Sequence, residues 1–434
     1  MVRPTRYTSE SSMGDAKALN VTLEREAPAL YRCLSERGRR AVFPRGIPFQ
    51  AAAARETRVN GTIGQLTDGH GNPIPLPQMA ACLSGVDPKR AFLYAPIAGP
   101  ADLRALWRDR QRRLVDSPGQ SSLPFVTHGL THGISIVAQL LADSELDVVV
   151  PTPCWGNYKL IFELAGGGRV LGYPFFNNGS FNVQGLADSL AQVRSKAVIL
   201  LNFPNNPTGY SPSSTEADRI VETVCGHRGP AVVVSDDAYQ GWVYGEQAVR
   251  ESLFWRFVAR ADPQRLFPMK VDGATKELVF FASRVGFLTH GLTSDAEAAL
   301  ESKVKCLVRG TVGSAPGPSL ALMEAALCDP GLDQTFEERR LALGKRHATL
   351  MAALQSLPKE DCVPYPFNSA FFALLRLSEI HDAEVIRQRL IQEHSVGTIA
   401  FAEQNALRIA YCSLHEDAIV EAVDALGQIL RPRG

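Results

Sequence analysis

Side chains that could do chemistry follow several apolar runs of the sequence. Asn206 lies in a turn rich in Asn, Pro and Gly after one run, and Asp236 and Tyr239 follow the next run. Lys276 comes after a further strand-like run, with Arg284 eight residues later. These positions supply an amine, a carboxylate, a phenol and an amide to one ligand, and pyridoxal phosphate requires that combination. The sequence therefore predicts a site for this cofactor.

Each of these residues also has an ordinary structural explanation. An Asn-Pro turn is common in tight connections, and an Asp at a strand end is often a helix cap. A single lysine is more often solvated than catalytic, and Trp155, a candidate for stacking on a ring, has the alternative of being a core aromatic. The prediction depends on the combination rather than on any one residue.

The elements that must position these side chains are predicted from apolar runs at 147–150, 197–201 and 231–234. The runs are apolar at both alternating sets of positions, which is typical of strands covered on both faces and hence of a parallel sheet. A helical segment at 213–225 separates two of them, so the predicted class is α/β, with a mainly parallel sheet flanked by helices. Ligands of such sheets gather at the carboxyl ends of the strands, where the candidate residues lie.

The chain, at 434 residues, is long enough for two domains. Residues 65–314 are predicted to form a large cofactor-binding domain, and residues 315–434 a smaller α+β domain, because the chain turns strongly helical there. Residues 1–64 are interpreted as an N-terminal arm and part of the small domain. The Arg-rich segment 101–114 has the pattern of an amphipathic helix with a solvated basic face.

Composition argues against several classes of partner. Lys plus Arg equals Asp plus Glu at 45 each, so the formal net charge is zero and no broad field indicates nucleic acid or an acidic membrane. No apolar stretch is long enough to span a bilayer, and the eight cysteines lack metal-ligand spacing. We therefore expect a cytoplasmic protein with reduced cysteines, no metal site and small-molecule partners.

Four motifs occur in an order and spacing that resemble the class I aminotransferases, the aspartate-aminotransferase-like enzymes of fold type I. The motifs are Pro151-x-Pro153-x-Trp155-x-Asn157-Tyr158, Asn206-Pro207-Thr208-Gly209, Asp236-x-Ala238-Tyr239-Gln240-Gly241, and Lys276 followed by Arg284-Val285-Gly286. One such motif is weak, whereas four in the order of the family are specific. The resemblance runs from about Ile63 to the C-terminus and implies that fold and a pyridoxal 5'-phosphate cofactor.

The resemblance implies a role for each candidate at the cofactor. Lys276 would form the Schiff base (aldimine) and then move the proton at the substrate α-carbon, which requires a neutral amine. Asp236 would accept a hydrogen bond from the protonated ring nitrogen. Tyr239 and Asn206 would bond the ring oxygen, and Trp155 would stack on the ring face.

The resemblance also implies how the phosphate is held. Backbone amides at the helix start formed by Gly129, Leu130 and Thr131 would bind it, because helix N-termini favour anions. Arg284 would add its guanidinium, and Tyr94 would reach the phosphate from the neighbouring subunit. A homodimer is therefore implied.

Substrate contacts are implied at four positions. Arg408 would grip the α-carboxylate, because a planar guanidinium meets a carboxylate in two parallel bonds. Gly64 resembles the glycine of the small lobe that closes over substrate. Trp155 and Asn206 would border the same space.

Two departures from the family pattern bear on specificity. Gly273 stands three residues before Lys276, where relatives often carry a hydroxyl for the phosphate, so that contact is lost or is supplied by Thr275. Gly310 stands where true aspartate aminotransferases carry an arginine for the substrate side chain, although Arg309 could compensate. We therefore expect an uncharged amino acid, including aromatic ones, rather than a dicarboxylate.

The predicted reaction is transfer of an amino group between an L-amino acid and a 2-oxo acid, a step of amino-acid metabolism and biosynthesis. One alternative keeps the cofactor and changes the reaction to an elimination, a decarboxylation or an oxygen-dependent oxidation, because one scaffold hosts several chemistries. A second alternative is a non-catalytic sensor fused to a DNA-binding module. The first forty residues are too short and too weakly basic for such a module.

Overall fold

The computed structural model describes residues 10–42, 46–291 and 295–431. Its helices are α1 (Glu10–Glu26), α2 (Pro28–Cys33), α3 (Glu36–Arg40), α4 (Ile47–Ala53), α5 (Pro77–Ala81), α6 (Pro88–Phe92), α7 (Ala101–Arg113), α8 (Gly129–Leu141), α9 (Asn157–Ala165), α10 (Val183–Leu190), α11 (Ser214–Cys225), α12 (Leu253–Arg260), α13 (Ala274–Glu277), α14 (Asp295–Thr311), α15 (Gly317–Leu327), α16 (Leu332–Ala353), α17 (Ala383–His394) and α18 (Glu416–Leu430). Its strands are β1 (Val59–Asn60), β2 (Phe125–Thr127), β3 (Leu146–Thr152), β4 (Arg169–Pro174), β5 (Phe176–Asn177), β6 (Ser180–Phe181), β7 (Lys196–Asn202), β8 (Ala231–Asp236), β9 (Leu266–Gly273), β10 (Gly286–His290), β11 (Cys362–Pro364), β12 (Ala373–Leu377), β13 (Val396–Gly397), β14 (Ile399–Phe401) and β15 (Ala406–Ile409).

A seven-stranded sheet lies at the centre of the fold, with its strands in the order β2-β10-β9-β8-β7-β3-β4. Strands β4, β3, β7, β8 and β9 pair in parallel, whereas β10 pairs antiparallel with both β9 and β2. Helices such as α8, α11 and α12 pack against this sheet or against each other. The sheet is mainly parallel and flanked by helices, so the predicted α/β class is confirmed.

Strand β7 illustrates why the apolar runs form a sheet covered on both faces. Val198 and Leu200 pack in one hydrophobic cluster, whereas Ile199 and Leu201 pack in another. Because successive residues of a strand point to opposite faces, the two clusters cover the two sides of the sheet. The helix predicted at 213–225 is α11, and Ser213 caps its start in a reciprocal box with Glu216.

A second, four-stranded antiparallel sheet is formed near the C-terminus in the order β11-β12-β15-β14. Helix α17 packs on it and α18 packs on α16 and α17, so this region has its own layers. Strand β1 pairs in parallel with β13, which ties residues 59–60 to residues 396–397. The division into domains at residues 65 and 315 stays a prediction.

The expected solvated basic face of α7 is wrong in part. Arg104 and Arg110 are buried. Arg104 pairs with Glu301 at 2.8 Å, and Arg110 pairs with Glu277 and Asp333. Acidic residues from distant segments therefore compensate these two guanidinium groups inside the protein.

All eight cysteines are free thiols; Cys362 and Cys412 are buried, whereas Cys33, Cys306 and Cys328 are exposed. Among the described residues, no group of three or more His, Cys, Asp or Glu side chains is arranged to hold a metal ion. Within those same residues, no helix has the length and apolar character that crossing a membrane requires.

Candidate active site

The candidate residues converge at the carboxyl ends of adjacent strands. Strand β7 ends at Asn202, β8 ends at Asp236, and β9 leads directly into the single turn α13 that carries Lys276. Asn202 and Asp236 lie opposite each other in the register of β7 and β8. The side-chain amide of Asn202 donates to the carbonyl of Asp236 at 2.8 Å and accepts from the backbone amide of Asn206 at 2.8 Å. One residue therefore links the Asn-Pro turn to the carboxylate.

Lys276 lies over the ring of Tyr239, with its Nζ 5.3 Å from the ring centroid. Its backbone carbonyl accepts a hydrogen bond of 3.0 Å from the indole of Trp242. Burial lowers the pKa of the Lys276 amine and the charge of Arg284 lowers it further, while Asp236 opposes the shift. The surroundings therefore favour the neutral amine that an attacking or proton-accepting lysine needs.

The Asp236 carboxylate is buried and oriented by two donors. The Tyr158 hydroxyl donates to its Oδ2 at 2.5 Å, and the backbone amide of Ala238 donates to Oδ1 at 3.2 Å. Burial raises the pKa of Asp236, although Tyr158 and Lys276 both act to lower it. The carboxylate thus has capacity for a further cationic partner, which fits a protonated ring nitrogen.

Tyr239 is buried between aromatic neighbours and beside the Asn206 amide. Phe371 and Phe372 meet its ring edge to face, at centroid distances of 5.2 and 5.5 Å. Burial raises the pKa of the Tyr239 phenol, while Arg408 and a hydrogen bond with Asn206 act to lower it. The phenol therefore remains protonated near neutral pH and can donate a hydrogen bond.

The start of α8 is shaped for an anion. Gly129 adopts φ +76°, and a Cβ at this position would lie 2.7 Å from Nη2 of Arg284. The Arg284 guanidinium reaches the carbonyl of His128 at 3.4 Å. No described side chain caps this helix start, so its first amides can serve an anion. Leu130 and Thr131 follow Gly129 in this first turn.

The loss of a hydroxyl at Gly273 has a steric reason. A Cβ at Gly273 would lie 2.6 Å from the carbonyl oxygen of Val285, because β9 and β10 are in close contact there. Two residues later, the Thr275 hydroxyl is buried and lacks a hydrogen-bond partner among the described residues. Buried hydroxyls are normally satisfied, so Thr275 is the candidate for the displaced contact.

Arg408 of β15 is only 2% exposed and lies beside Asn206. Its Nη1 donates to Asn206 Oδ1 at 3.1 Å and its Nη2 donates to the Thr62 carbonyl at 2.7 Å. The guanidinium lies 4.3 Å from the ring centroid of Phe372. Burial lowers its pKa to about 10, so it keeps its charge at neutral pH. A Cβ at Gly64 would lie 2.3 Å from Phe372 Cζ, so this glycine is in close contact with the same ring.

Three predicted residues lie apart from this constellation within the single chain. Tyr94 follows α6 and is 97% exposed. Arg309 and Gly310 are exposed in α14, with no atom within 4 Å of a Cβ built at Gly310. Trp155 is nearer, since its ring meets that of Tyr158 edge to face at 5.3 Å.

Several contacts of the site were absent from the sequence-based assignment. Tyr158 stands inside one of the quoted motifs, but the sequence does not indicate its hydrogen bond to Asp236. Trp242 directly follows one of the other motifs and Asn202 lies four residues before another, whereas Phe372 and Thr62 carry no signal in the sequence. A buried phenylalanine on a guanidinium has the same sequence pattern as any core aromatic.

The residues present fit pyridoxal phosphate. A buried carboxylate, a lysine with a lowered pKa, an uncapped helix start beside a guanidinium and an unpartnered buried hydroxyl correspond to the ring nitrogen, the aldehyde and the phosphate. The sequence matches the family described as aminotransferase class I and II over residues 59–426. The chain belongs to this family. It is a pyridoxal-phosphate-dependent aminotransferase, and the predicted family, cofactor and enzyme class are confirmed.

Known relatives of this aminotransferase cover most of the chain. The aspartate aminotransferase of Bacillus subtilis (strain 168) is 24% identical over 344 residues, which is 77% of this chain and 82% of the relative. A crystal structure of an aminotransferase from Anaerococcus prevotii superimposes with a TM-score of 0.79 at 21% identity, covering 92% of this chain and 100% of that chain. The aromatic-amino-acid aminotransferase from Burkholderia pseudomallei, solved covalently bound to pyridoxal phosphate, gives a TM-score of 0.71 at 21% identity, with 92% and 100% coverage. The structural likeness confirms the fold of type I.

Proposed function

We propose that this aminotransferase transfers the amino group of an uncharged L-amino acid, including aromatic ones, to a 2-oxo acid, with Lys276 as the residue that binds the cofactor covalently. The observation that carries the proposal is the placement of Lys276 beside Tyr239 and within electrostatic reach of Asp236, with a buried Arg408 next to Asn206. These groups could serve the ring, the reacting carbon and the substrate carboxylate of one ligand.

Bound pyridoxal phosphate would supply an electron sink that stabilises negative charge at the substrate α-carbon. Asp236 would keep the ring nitrogen protonated, because a buried carboxylate with a cationic neighbour retains its charge. Tyr158 and the amide of Ala238 hold this carboxylate in one orientation. The phenol of Tyr239 and the amide of Asn206 would hydrogen-bond the ring oxygen.

Lys276 would take and return the proton at the α-carbon. Its lowered pKa leaves the amine neutral for a larger share of molecules near pH 7, so it can accept that proton without first losing its own. The Trp242 indole holds the Lys276 carbonyl and so limits where the side chain starts. The phosphate would be held by the amides of Gly129, Leu130 and Thr131 and by the Arg284 guanidinium, with Thr275 adding its hydroxyl.

Arg408 would bind the substrate α-carboxylate. It is buried and charged, and its Nε has no hydrogen-bond partner among the described residues, so part of its fork is available for a ligand. Asn206, bonded to Nη1, would lie at the border between ring and carboxylate. Gly64 would close over the same space, and Trp155 would cover the ring.

The side-chain specificity is inferred from the ring that covers Arg408 and from the residue type at position 310. The ring of Phe372 covers the guanidinium, and Gly310 offers no side chain at the position expected for a second arginine. The relative from Bacillus subtilis is named for aspartate, which is a dicarboxylate. The one from Burkholderia pseudomallei is named for aromatic amino acids. The glycine at 310 favours the second kind of substrate.

The proposed assembly is a homodimer in which Tyr94 reaches the site of the partner. Tyr94 lies beside Phe92 and Leu93, and the three side chains are 97, 86 and 67% exposed. Monomeric proteins rarely expose adjoining apolar side chains of this size, so a second copy covering them is the natural occupant.

The test begins with the purified holoenzyme. Borohydride reduction followed by peptide mass spectrometry would locate the cofactor, and the expected site is Lys276. Phenylalanine, tyrosine, leucine, aspartate and glutamate would then be compared as donors to 2-oxo acids by product detection. We expect phenylalanine or leucine to exceed aspartate by at least about tenfold in kcat/KM, which corresponds to about 1.4 kcal/mol. A preference for aspartate would contradict the specificity, and a label on another lysine would contradict the assignment of Lys276.

A further inference from the structure

Six polar side chains are buried together beside the proposed cofactor site, and none is more than 3% exposed. We name them the ionic cluster: Arg110 and Gln111 of α7, Asp237 after β8, Lys270 and Asp272 of β9, and Glu277 of α13. Buried charges of this number are uncommon unless they are paired. The proposed catalytic roles use none of them.

The ionic cluster lies on the opposite face of the strand ends from Asp236. Asp236 is in register with Val271, and the residue before Asp236 is in register with Lys270. Because neighbouring residues of a strand point to opposite faces, Asp236 shares the face of Val271, and Asp237 shares the face of Lys270. Asp236 therefore points into the proposed cofactor site, whereas the adjacent Asp237 points into the ionic cluster.

Hydrogen bonds join five members of the ionic cluster, and an ion pair with Lys270 connects Asp237 to them. Glu277 accepts from Nη1 of Arg110 and from Nε2 of Gln111, the latter at 3.0 and 3.3 Å. The side-chain oxygen Oε1 of Gln111 accepts a hydrogen bond from Lys270 Nζ at 2.6 Å. Lys270 also donates to Asp272 at 2.6 Å and lies 3.8 Å from Asp237 Oδ2. Gln111 is thus the bridge between the part that holds Glu277 and the part that holds Asp237.

The two ends of this network are the sequence neighbours of the two central residues of the site. Glu277 follows Lys276, and Asp237 follows Asp236. Helix α13 has only four residues, and a single helical turn is too short to hold its own conformation. Neighbouring helical residues point about 100° apart, so fixing Glu277 on one side fixes the direction of Lys276 on another.

We propose that the ionic cluster positions Lys276 relative to Asp236: Glu277 anchors the turn that carries the amine, Asp237 anchors the strand end that carries the carboxylate, and α7 connects the two through Gln111. The inference rests on the proposed roles of Lys276 and Asp236. Glu277, Gln111 and Asp237 are therefore positioning residues that do not touch the cofactor. A buried network with a purely structural role would contribute to stability alone.

The test compares Glu277→Gln with Asp147→Asn in the holoenzyme. Asp147 is a matched control, since its carboxylate is fully buried and is held by Arg169 and Arg194 at the beginning of β3, away from the carboxyl ends of the strands. Each change removes one buried negative charge that is held by arginine, namely Arg110 for Glu277 and both Arg169 and Arg194 for Asp147. We expect both variants to melt at lower temperature than the parent protein.

Only Glu277→Gln should change the properties of the bound cofactor. We expect the pH midpoint of the cofactor absorption change to move by at least about 0.5 unit, because the separation of Lys276 and Asp236 sets their electrostatic coupling. We expect kcat to fall about tenfold or more with KM for the amino acid nearly unchanged, since a misplacement of about 1 Å can cost a hundredfold. Asp147→Asn should leave both the midpoint and kcat at the parent values.

A second variant keeps the test decisive if Glu277→Gln does not fold. Gln111→Met removes the bridge without removing a charge, and it should shift the midpoint and kcat in the same direction by a smaller amount. Parent values of midpoint and kcat in the variants that fold would overturn the positioning role while leaving the proposed function intact. Borohydride labelling of a lysine other than Lys276 would overturn both.

Discussion

The two ends of the proposed site differ in how completely one chain builds them. At the cofactor end, Lys276 and Asp236 have described hydrogen-bond partners in the same chain, and burial in that chain lowers the pKa of Lys276 and raises that of Asp236. At the substrate end, Arg408 is buried, but Ile63 is 52% exposed and Gly310 is exposed as well. The comparison indicates that a single chain builds the cofactor end more completely than the substrate end, where the proposed second subunit and lobe closure would have to complete the surface that recognises the substrate side chain.

The largest expected effect comes from removing the amine at the cofactor end. Lys276→Ala should lower kcat by at least about a thousandfold, because both the covalent link and the proton transfer depend on this group and a positioned acid or base alone contributes 10² to 10⁴-fold. Stopped-flow and steady-state assays of the purified variant would measure it. Lys276→Arg, which keeps a cation but cannot form an imine, should be equally inactive. Activity within tenfold of the parent protein would show that the comparison assigns the wrong residue to the cofactor end.

The second effect separates the two ends. Arg408→Lys keeps the positive charge but loses the planar fork, so KM for the amino acid should rise about 10 to 100-fold, the equivalent of one charge-assisted hydrogen bond. Cofactor absorption and affinity should remain those of the parent protein. Kinetics with the preferred donor and spectrophotometric titration of the apoprotein with cofactor measure the two quantities.

Arg346→Lys is the control for Arg408→Lys. Arg346 is a partly buried guanidinium that donates to the backbone carbonyls of Thr67 and Cys412. Its replacement should reduce stability without changing KM. If Arg408→Lys instead released the cofactor and left KM unchanged, the two ends would not be separate.

The sequence was informative about the cofactor end for a physical reason. Strands β7 and β8 are apolar at successive positions, so their ends, and with them Asn206 and Asp236, could be located from the apolar runs alone. The order of motifs then predicts Lys276 as the lysine that binds the cofactor. What sequence reasoning missed depends on contacts between distant segments. From the sequence alone Arg110 of α7 is predicted to be a solvated charge. The structure pairs it with Glu277, which lies more than 160 residues away in the sequence.

Less of the substrate end could be predicted from the sequence, because the residue types that form it also occur throughout any protein core. Phe372 covers Arg408 and contacts Gly64, yet its sequence surroundings are those of any buried aromatic. The sheet order, in which β10 returns antiparallel between β9 and β2, was also beyond the apolar pattern, because the pattern gives the strands and not their neighbours. The proposed contact of Tyr94 with a partner subunit would be a property of the assembly rather than of the single chain.

A mixed dimer would test whether the cofactor end needs a residue from the second chain. Tyr94→Ala alone should weaken cofactor binding about tenfold, the effect of one hydrogen bond to a charged group. Co-expression of Tyr94→Ala and Lys276→Ala subunits with different tags would give mixed dimers. If Tyr94 acts across the interface, one site of each mixed dimer contains both Lys276 and Tyr94, and cofactor affinity at that site should return to the parent value.

The outcome that contradicts the shared site is equally clear. If Tyr94 acts within its own chain, the mixed dimer should bind cofactor no better than Tyr94→Ala. If Tyr94 plays no part, Tyr94→Ala alone should already bind cofactor as tightly as the parent protein. Light scattering of the parent protein gives the oligomeric state independently. A monomer at micromolar concentration would remove the need for any residue in trans.

The last prediction concerns stability at low pH, which should fall because of a buried histidine near the cofactor end. His132, in the first turn of α8, accepts a hydrogen bond from the amide of His128 through Nδ1 at 3.0 Å. Burial lowers its pKa to about 4, and His128 adds to the shift. A histidine with a folded pKa below its unfolded value gives stability that is present above about pH 6.5 and is lost as the pH falls toward 4. Between pH 7 and pH 5 the loss should be about 1 kcal/mol once partial exposure is allowed for.

His132→Gln removes this titration, so its stability relative to the parent protein should improve between pH 7 and pH 5. Chemical denaturation at both pH values would measure the difference, with His70→Gln as the control because His70 is exposed. Amide hydrogen exchange then locates the effect. After correction for the intrinsic pH dependence of exchange, acid should lower the protection of the amides of α8 more than that of β15, which carries Arg408, because His132 lies in α8. An equal loss of protection in both segments would mean that acid loosens the whole fold, and the independence of the two ends would then not extend to their stability.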